Sequence, residues 1–501
     1  MISEKKFIYL TLSFAIFLHF LAINFYPINF EFIFFEGSNF IQESFKKEIA
    51  EQFFDMQANT FFFSFIISLF SFVFFFVEPV HIGKIISLSS FIFIALAASN
   101  LYETKVSSNK KDGFYYIGYF FLFLTLNPLI WVFSYRSTPD VISMALAFYG
   151  FSIIYKYSKN KKYLYLGALI LGFATTLKAI TGIYLIAGIM LFNFSYIKNN
   201  LPSCIIFAIL YSIFPFVYFS ITYYNFNFFL FSPYYKSVLS VISTPENYLN
   251  NLILYLSFVF IFLSPILMGN IIFNIKIFIH KNKLLNTLVY AIVFYIGSLN
   301  LKPSVEMNFG IISEHLNSDI LGGTLYCSAY TFVLLMCLEM RRRFILKDFL
   351  KLRLFIVAIL YLLIISSSLA SQRYLIVILP LFYFLFLPYI KNYLKFNILF
   401  MLIVCIPINI LLVTNQYVTG SLSKQIVKYI KENNLLDKVC PAANGSHVSH
   451  EFPKEIRNPT TCGLKDIHIL KGEGKNDTAV IYSASSEKFF LKKSLNLRVI
   501  R

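Results

Sequence analysis

The stretch Lys156-Tyr-Ser-Lys-Asn-Lys-Lys-Tyr-Leu-Tyr-Leu-Gly-Ala-Leu-Ile-Leu-Gly-Phe-Ala-Thr-Thr-Leu-Lys178 places a lysine cluster directly before an uncharged run, residues 163–177. A second uncharged run, residues 141–155, precedes the cluster. Such a pair reads as two membrane helices joined by a cytoplasmic turn, because translocating Lys and Arg is disfavoured and short inner loops collect them. Working outward, fourteen runs of this kind fall between Phe7 and Val413. A hydrocarbon core ~30 Å thick asks for about 20 residues per crossing, so the boundaries of the shorter runs are soft.

The composition agrees. Of 501 residues, 58% are hydrophobic and only 14% charged, and the mean hydropathy is +0.69, which excludes a water-soluble globular protein. A β-barrel is disfavoured, since its strands would be about 10 residues long and alternate with polar positions. The net charge of +18 resembles a nucleic-acid signal, but its distribution orients a membrane protein instead, and no nucleic-acid partner is expected.

Before the tail, twenty-one basic residues lie in clusters that one topology puts inside: Lys5–Lys6, Lys105–Lys111, Lys156–Lys162, Lys198, Lys276–Lys283, Arg341–Arg353 and Lys391–Lys395. Eight are then left outside: Lys46, Lys47, Lys84, Arg136, Lys178, Lys236, Lys302 and Arg373. The solution requires one run not to cross. Residues 61–77 are the choice, because Thr60, Ser64, Ser68 and Ser71 fall on one helical face, as in a helix at the outer interface or against the bundle. An ordinary span packed through small residues is the competing reading. The expected fold is therefore an all-α polytopic membrane protein of about thirteen transmembrane helices. Its N-terminus is cytoplasmic, its first run is a retained helix rather than a cleaved signal, and its C-terminus is outside.

Two outer segments stand out. Residues 27–60 are rich in acid, with Glu31, Glu36 and Asp55 among them. Residues 414–501 follow the transmembrane domain, 1–413, and read as a small α/β domain: an amphipathic helix around Ile426, Val427 and Ile430, then short strands at 466–470, 478–483 and 495–500. Cys440 and Cys462 are the cysteine pair of this tail and suggest a disulfide in an oxidising compartment. A Cys/His zinc site with His447 and His450 competes with it.

Charged residues beside an apolar slab are costly unless paired or used. Arg136-Ser-Thr-Pro-Asp140 stands at such a place, either as a plain helix start with its acid favourably set against the dipole or as an acid and a base held together for a polar headgroup. Lys178 and the pair Arg373-Tyr374 pose the same choice, as snorkelling side chains or as binders of a lipid-linked phosphate. No Asp-x-Asp and no Gly-rich phosphate loop occurs, so a metal-bound nucleotide sugar has no candidate site.

The runs Tyr135-Arg-Ser-Thr-Pro-Asp-Val-Ile-Ser-Met-Ala-Leu-Ala-Phe-Tyr-Gly150, Lys156 to Tyr163 and Leu169 to Lys178 resemble helices of the membrane glycosyltransferases that use polyprenyl-phosphate sugars, the GT-C fold. The nearest branches are the lipid A aminoarabinose transferases and the protein O-mannosyltransferases. Ser371-Gln-Arg-Tyr-Leu-Ile-Val-Ile-Leu-Pro380 is similar to the late Arg-Tyr motif of that family. Its acidic motif in the first outer loop, Asp-Glu-x-x-Tyr, has its nearest counterpart in Glu36-Gly-Ser-Asn-Phe40, where Glu replaces the leading Asp and Gly the second acid.

The resemblance implies sugar transfer with inversion at the outer face of a bacterial inner membrane, without a cofactor, to a lipid, glycan or protein acceptor. It makes Glu36 the general base, with Asp55 and Glu31 as rivals. Arg136, Lys178 and Arg373, with Tyr374, would meet the departing phosphate. Asp140 would orient the base, position the sugar or pair with Arg136. A transporter or flippase of lipid-linked glycans is the main alternative, although the broken and polar midplane helices expected of one are scarce in the sequence. An O-antigen ligase or polymerase is another.

Overall fold

The computed structural model of the protein describes residues 13, 14, 17, 61–77, 79–103, 110–158, 160–192, 197, 199–226, 245–273, 283–300, 318–367, 371–386, 393–435, 438–440, 467–471, 479–488 and 491–499. Glu31, Glu36, Asp55 and Cys462 lie outside the described residues, and with them the proposed bases and the proposed disulfide.

Nearly every apolar run of the described chain is helical. In order come α1 (Phe61–Val73), α2 (Pro79–Glu103), α3 (Lys110–Thr125), α4 (Pro128–Ser134), α5 (Pro139–Tyr157), α6 (Lys161–Leu177), a 3-10 turn (Ala179–Gly182), α7 (Ile183–Ile189) and α8 (Leu201–Phe226). After these follow α9 (Pro245–Phe273), α10 (Lys283–Asn300), α11 (Ser318–Ile345), α12 (Phe349–Ser366), a 3-10 turn (Gln372–Tyr374), α13 (Leu375–Phe386), α14 (Leu394–Phe400), a π turn (Met401–Cys405) and α15 (Ile406–Glu432).

Six described helices are long and apolar enough to cross a bilayer, and a seventh crossing results if the bent pair α3 and α4 counts as one. On α8, Ile205, Ile209 and Phe216 point out of the bundle, an arrangement suited to lipid and poorly suited to water. At the centre, α5 and α13 are buried along almost their whole lengths, so their uninterrupted apolar character serves packing within the protein.

Helix α1 is about 20 Å long at 1.5 Å per residue, short of the ~30 Å core. It runs along the bundle: Phe62 packs edge-on against Phe173 of α6 and Tyr218 of α8, and Ile67 lies at Gly83 of α2. Ser68 and Ser71 face the protein, while Leu69, Phe70, Phe72 and Val73 are exposed.

Residues 114–135, one of the fourteen apolar runs, are shared between two helices, α3 and α4. The chain bends by 73° between Thr125 and Pro128. Two residues cause it. Pro128 has no amide hydrogen to donate back into α3, and the side chain of Asn127 caps α4 by accepting from the Leu129 amide. The cost of the break is offset by tertiary bonds: the Asn127 amide donates to the Phe262 carbonyl of α9 (2.9 Å) and to the Tyr383 hydroxyl of α13 (3.1 Å), and Asn409 of α15 donates to the Leu126 carbonyl (2.9 Å). One break of this kind, polar and buried, is therefore present among the described helices. Asn127→Ala is expected to lower stability by about 1–3 kcal/mol, since buried groups lose their partners. An unchanged unfolding midpoint of the full-length protein in detergent would show that these bonds do not hold the break.

No break falls at the expected domain boundary, residues 413 and 414, because α15 continues through it to Glu432. Its later turns carry Val418, Leu422, Ile426 and Ile430 at intervals of four, one face that packs with Val439, Ile467 and Ala484 of a sheet. The strands are β1 (Val439–Cys440), β2 (Ile467–Lys471), β3 (Ala479–Lys488) and β4 (Leu491–Val499), in the order β1-β2-β4-β3. β1 and β2 are parallel and the other pairings antiparallel, with a bulge between Val480 and Tyr482. Two strands run longer than their apolar residues suggest, because the hairpin of β3 and β4 continues through polar residues such as Glu487 opposite Lys492.

Candidate functional site

The hairpin of α5 and α6 builds the site. Asp140 stands at the start of α5 and Lys178 at the close of α6, and two antiparallel helices of nearly equal length, 19 and 17 residues, bring them to the same end. The helices approach closely because Gly150 and Gly167 face one another; a Cβ on Gly150 would meet the Gly167 carbonyl at 3.1 Å. Pro139 opens α5 and Asp140 lies in its first turn, while Lys178 closes α6 and donates its amide to the Ala174 carbonyl (3.0 Å). Each charge thus sits at the helix end whose dipole favours it.

The Lys178 ammonium donates directly to the Asp140 carboxylate, with side chains 12% and 4% exposed. Arg136, which the sequence offers as one option for pairing with Asp140, has its guanidinium over the Phe133 ring, 4.9 Å from the centroid. Asp140 points across to α6, where Lys178 takes its carboxylate, while Arg136 lies in the bend between α4 and α5, ahead of the buried Ser137 and Thr138. Burial, and then the charge of Arg373, lower the proton affinity of Lys178 well below the ordinary lysine range; the carboxylate opposes both.

Arg373 and Tyr374 join from the 3-10 turn before α13. Lys178 Nζ lies 5.7 Å and Arg373 Cζ 5.8 Å from the centroid of the Tyr374 ring. Three tyrosines on other helices hold this segment by its backbone. Tyr361 of α12 donates to the Tyr374 carbonyl (2.5 Å), Tyr255 of α9 accepts from the Ser371 amide (3.0 Å), and Tyr184 of α7 donates to the Val377 carbonyl (2.8 Å). Arg373 remains exposed and Gln372 is buried. The site therefore holds two cations around one aromatic ring, with one carboxylate committed to the deeper cation. This arrangement suits an anion arriving from the Arg373 side.

Sequence reasoning missed the floor of the site. On α2, Gly83 leaves room for Ser137, and Ser87 donates to the Thr138 carbonyl (3.0 Å). Lys84, between them in sequence and one of the eight basic residues outside the inner clusters, is buried. The Ser137 and Thr138 hydroxyls are buried without a hydrogen-bond partner among the described residues. The spacing of Gly83 and Ser87 by four was the available signal, a close-packing face on an otherwise apolar helix.

The structure thus brings together Asp140, Lys178, Arg373 and Tyr374, with Arg136 one short turn before Asp140. Among the described residues, no group of three or more His, Cys, Asp or Glu side chains could hold a metal ion. Compared with known proteins, the chain matches no family model, no curated protein and no solved structure.

Proposed function

We propose that the chain is an integral membrane glycosyltransferase that moves a sugar from a polyprenyl-phosphate carrier to a lipid, glycan or protein acceptor at the outer face of a bacterial inner membrane. The observation that carries this reading is the meeting of Lys178 and Arg373, from two distant parts of the chain, around the Tyr374 ring, with the buried Asp140 paired to Lys178. In this reading Glu36 removes the proton of the acceptor hydroxyl, whose oxygen attacks the anomeric carbon as the bond to the phosphate oxygen breaks. The departing polyprenyl phosphate takes the electron pair, and Arg373 and Lys178, with Arg136 at the rim, face the charge that develops. Asp140 positions Lys178. The thirteen crossings and the outside α/β tail belong to the same proposal.

The test is mass spectrometry of lipid A and envelope glycans from a strain lacking the gene, complemented with variants. One sugar should disappear with the gene and return with the wild type. Glu36→Gln should not restore it, and Arg373→Ala should lower the transfer rate about 10²- to 10³-fold, the scale for removing one charge-stabilising donor. Full restoration by both Glu36→Gln and Asp140→Asn would remove the proposed site. The bend between α3 and α4 favours one second reading, a transporter of lipid-linked glycans. Accumulation of an intact lipid-linked glycan in the deletion strain would support it.

A further inference from the structure

The opposite end of the bundle carries a feature that sugar transfer leaves unexplained. The apolar helix α11 ends at Ile345 and α12 begins at Phe349. Between and around those ends stand six cations, Arg341, Arg342, Arg343, Lys347, Lys351 and Arg353, against two carboxylates, Glu339 and Asp348.

The two carboxylates are spent largely inside the turn. Arg343, buried, donates to Glu339 through Nε (2.6 Å) and pairs with Asp348 (3.3 Å). Asp348 also caps α12 by accepting the Lys351 amide and pairs with the Lys351 ammonium (3.4 Å). Burial raises the Asp348 pKa, but the Lys351 and Arg343 charges and the Lys351 hydrogen bonds outweigh it and hold the carboxyl below its usual range. Arg342 pairs with Glu339 at 3.6 Å and is half exposed. Arg341 and Lys347 are exposed as well.

Among these cations the bulky apolar side chains point outward: Phe344, Ile345 and Leu346 are each about 60% exposed, and Phe349 about half. Lys347 adopts a left-handed φ of 54°, which makes the turn tight and puts the two apolar groups on either side of a lysine. A soluble acidic partner would account for the charge but would leave this apolar cluster in water. The end of a membrane-crossing helix places the cluster at the level where headgroups meet acyl chains, and a phospholipid satisfies both halves of the surface at once.

We propose that the turn between α11 and α12 is a binding surface for anionic phospholipid headgroups, with Arg341, Arg342 and Lys347 facing the phosphates and Phe344, Ile345, Leu346 and Phe349 seated among the acyl chains. It is independent of the glycosyltransfer reading. The locked core of Glu339, Arg343, Asp348 and Lys351 keeps the turn rigid, so little ordering accompanies lipid binding.

The test uses the full-length protein, purified and offered mixed micelles of phosphatidylcholine and phosphatidylglycerol, with retained lipid read by native mass spectrometry. The wild type should retain phosphatidylglycerol in preference. Arg341→Gln, Arg342→Gln and Lys347→Gln together should cut that preference at least about tenfold, given about fivefold per cation near an anionic surface. A matched neutralisation in the tail, Lys428→Gln, Lys431→Gln and Lys438→Gln, should leave it within about twofold of the wild type. Lys347→Gln alone supplies a milder variant and should weaken the preference about fivefold. No preference in the wild type, no loss in the turn variants, or an equal loss in the tail variant would each overturn the proposal, the last by tracing the attraction to overall charge.

Discussion

Asp140→Asn is expected to destabilise the full-length protein by about 3–5 kcal/mol, and adding Lys178→Met is expected to recover most of that loss. The reason is the asymmetry of buried ion pairs. With both partners present, their attraction offsets the desolvation of each. With one removed, the other is left as an uncompensated charge in a site where Lys178 and Asp140 side chains are 12% and 4% exposed. The double variant removes both charges and keeps nearly the same volume.

The single variant should also respond to pH. Burial already lowers the pKa of Lys178, and without the carboxylate its remaining relief is to lose its proton. The unfolded chain, with an ordinary lysine pKa near ~10.4, then binds more protons than the folded one, so the stability of Asp140→Asn should rise as pH rises toward that value. Unfolding midpoints of the wild type, both single variants and the double variant in one detergent, at several pH values, complete the cycle. If the double variant is no more stable than Asp140→Asn, the pair is not the source of the loss. Activity separates structure from chemistry: should Lys178 serve the substrate phosphate, the double variant regains stability without regaining the proposed sugar transfer.

Gly172→Ala should have the second large effect. A Cβ there would lie 2.1 Å from the Tyr211 carbonyl oxygen and 2.9 Å from its carbon, backbone atoms that cannot rotate away. Helices α6 and α8 would have to part, at a cost of about 1–3 kcal/mol. The same shift would pull the Tyr211 hydroxyl from Thr175, to which it donates at 3.1 Å, three residues before Lys178. Loss of stability should therefore come with loss of the site's function. Gly188→Ala is the control. Its nearest neighbour would be at 3.5 Å, an ordinary contact, and a helical alanine is favoured over glycine by about 0.5–1 kcal/mol, so this variant should be neutral or slightly more stable. Equal losses for both glycines would show that the approach of α8 is not what Gly172 permits.

The helices were legible because an apolar run of sufficient length has few ways to satisfy its backbone polar groups other than a helix. The residues of the site were also legible individually, because Asp140, Lys178 and Arg373 are charges at the edges of such runs. Their grouping was not. Pairing with its near neighbour Arg136 is one of the three roles that the sequence leaves open for Asp140, and the ion pair forms across the hairpin with Lys178. Tyr374 came from the Arg-Tyr motif alone, whereas Tyr184, Tyr255 and Tyr361, which hold its segment, carry no local signal that distinguishes them from the chain's 34 tyrosines.

The bend at Asn127 shows the same division. Asn127-Pro128 announces a helix start, but a proline within an apolar run also fits a single continuous helix, as Pro215 does inside α8 and Pro265 inside α9. Whether a run bends or breaks depends on whether partners exist for the freed polar groups, and those partners, Phe262, Tyr383 and Asn409, are on other helices. Hydropathy and charge by themselves determined that this chain is a bundle of apolar helices with polar turns, since those properties depend on how each segment meets lipid and water. Which turns meet, which charges pair and where a helix breaks were decided only by the tertiary structure, because pairing energies depend on distances between segments far apart in the chain.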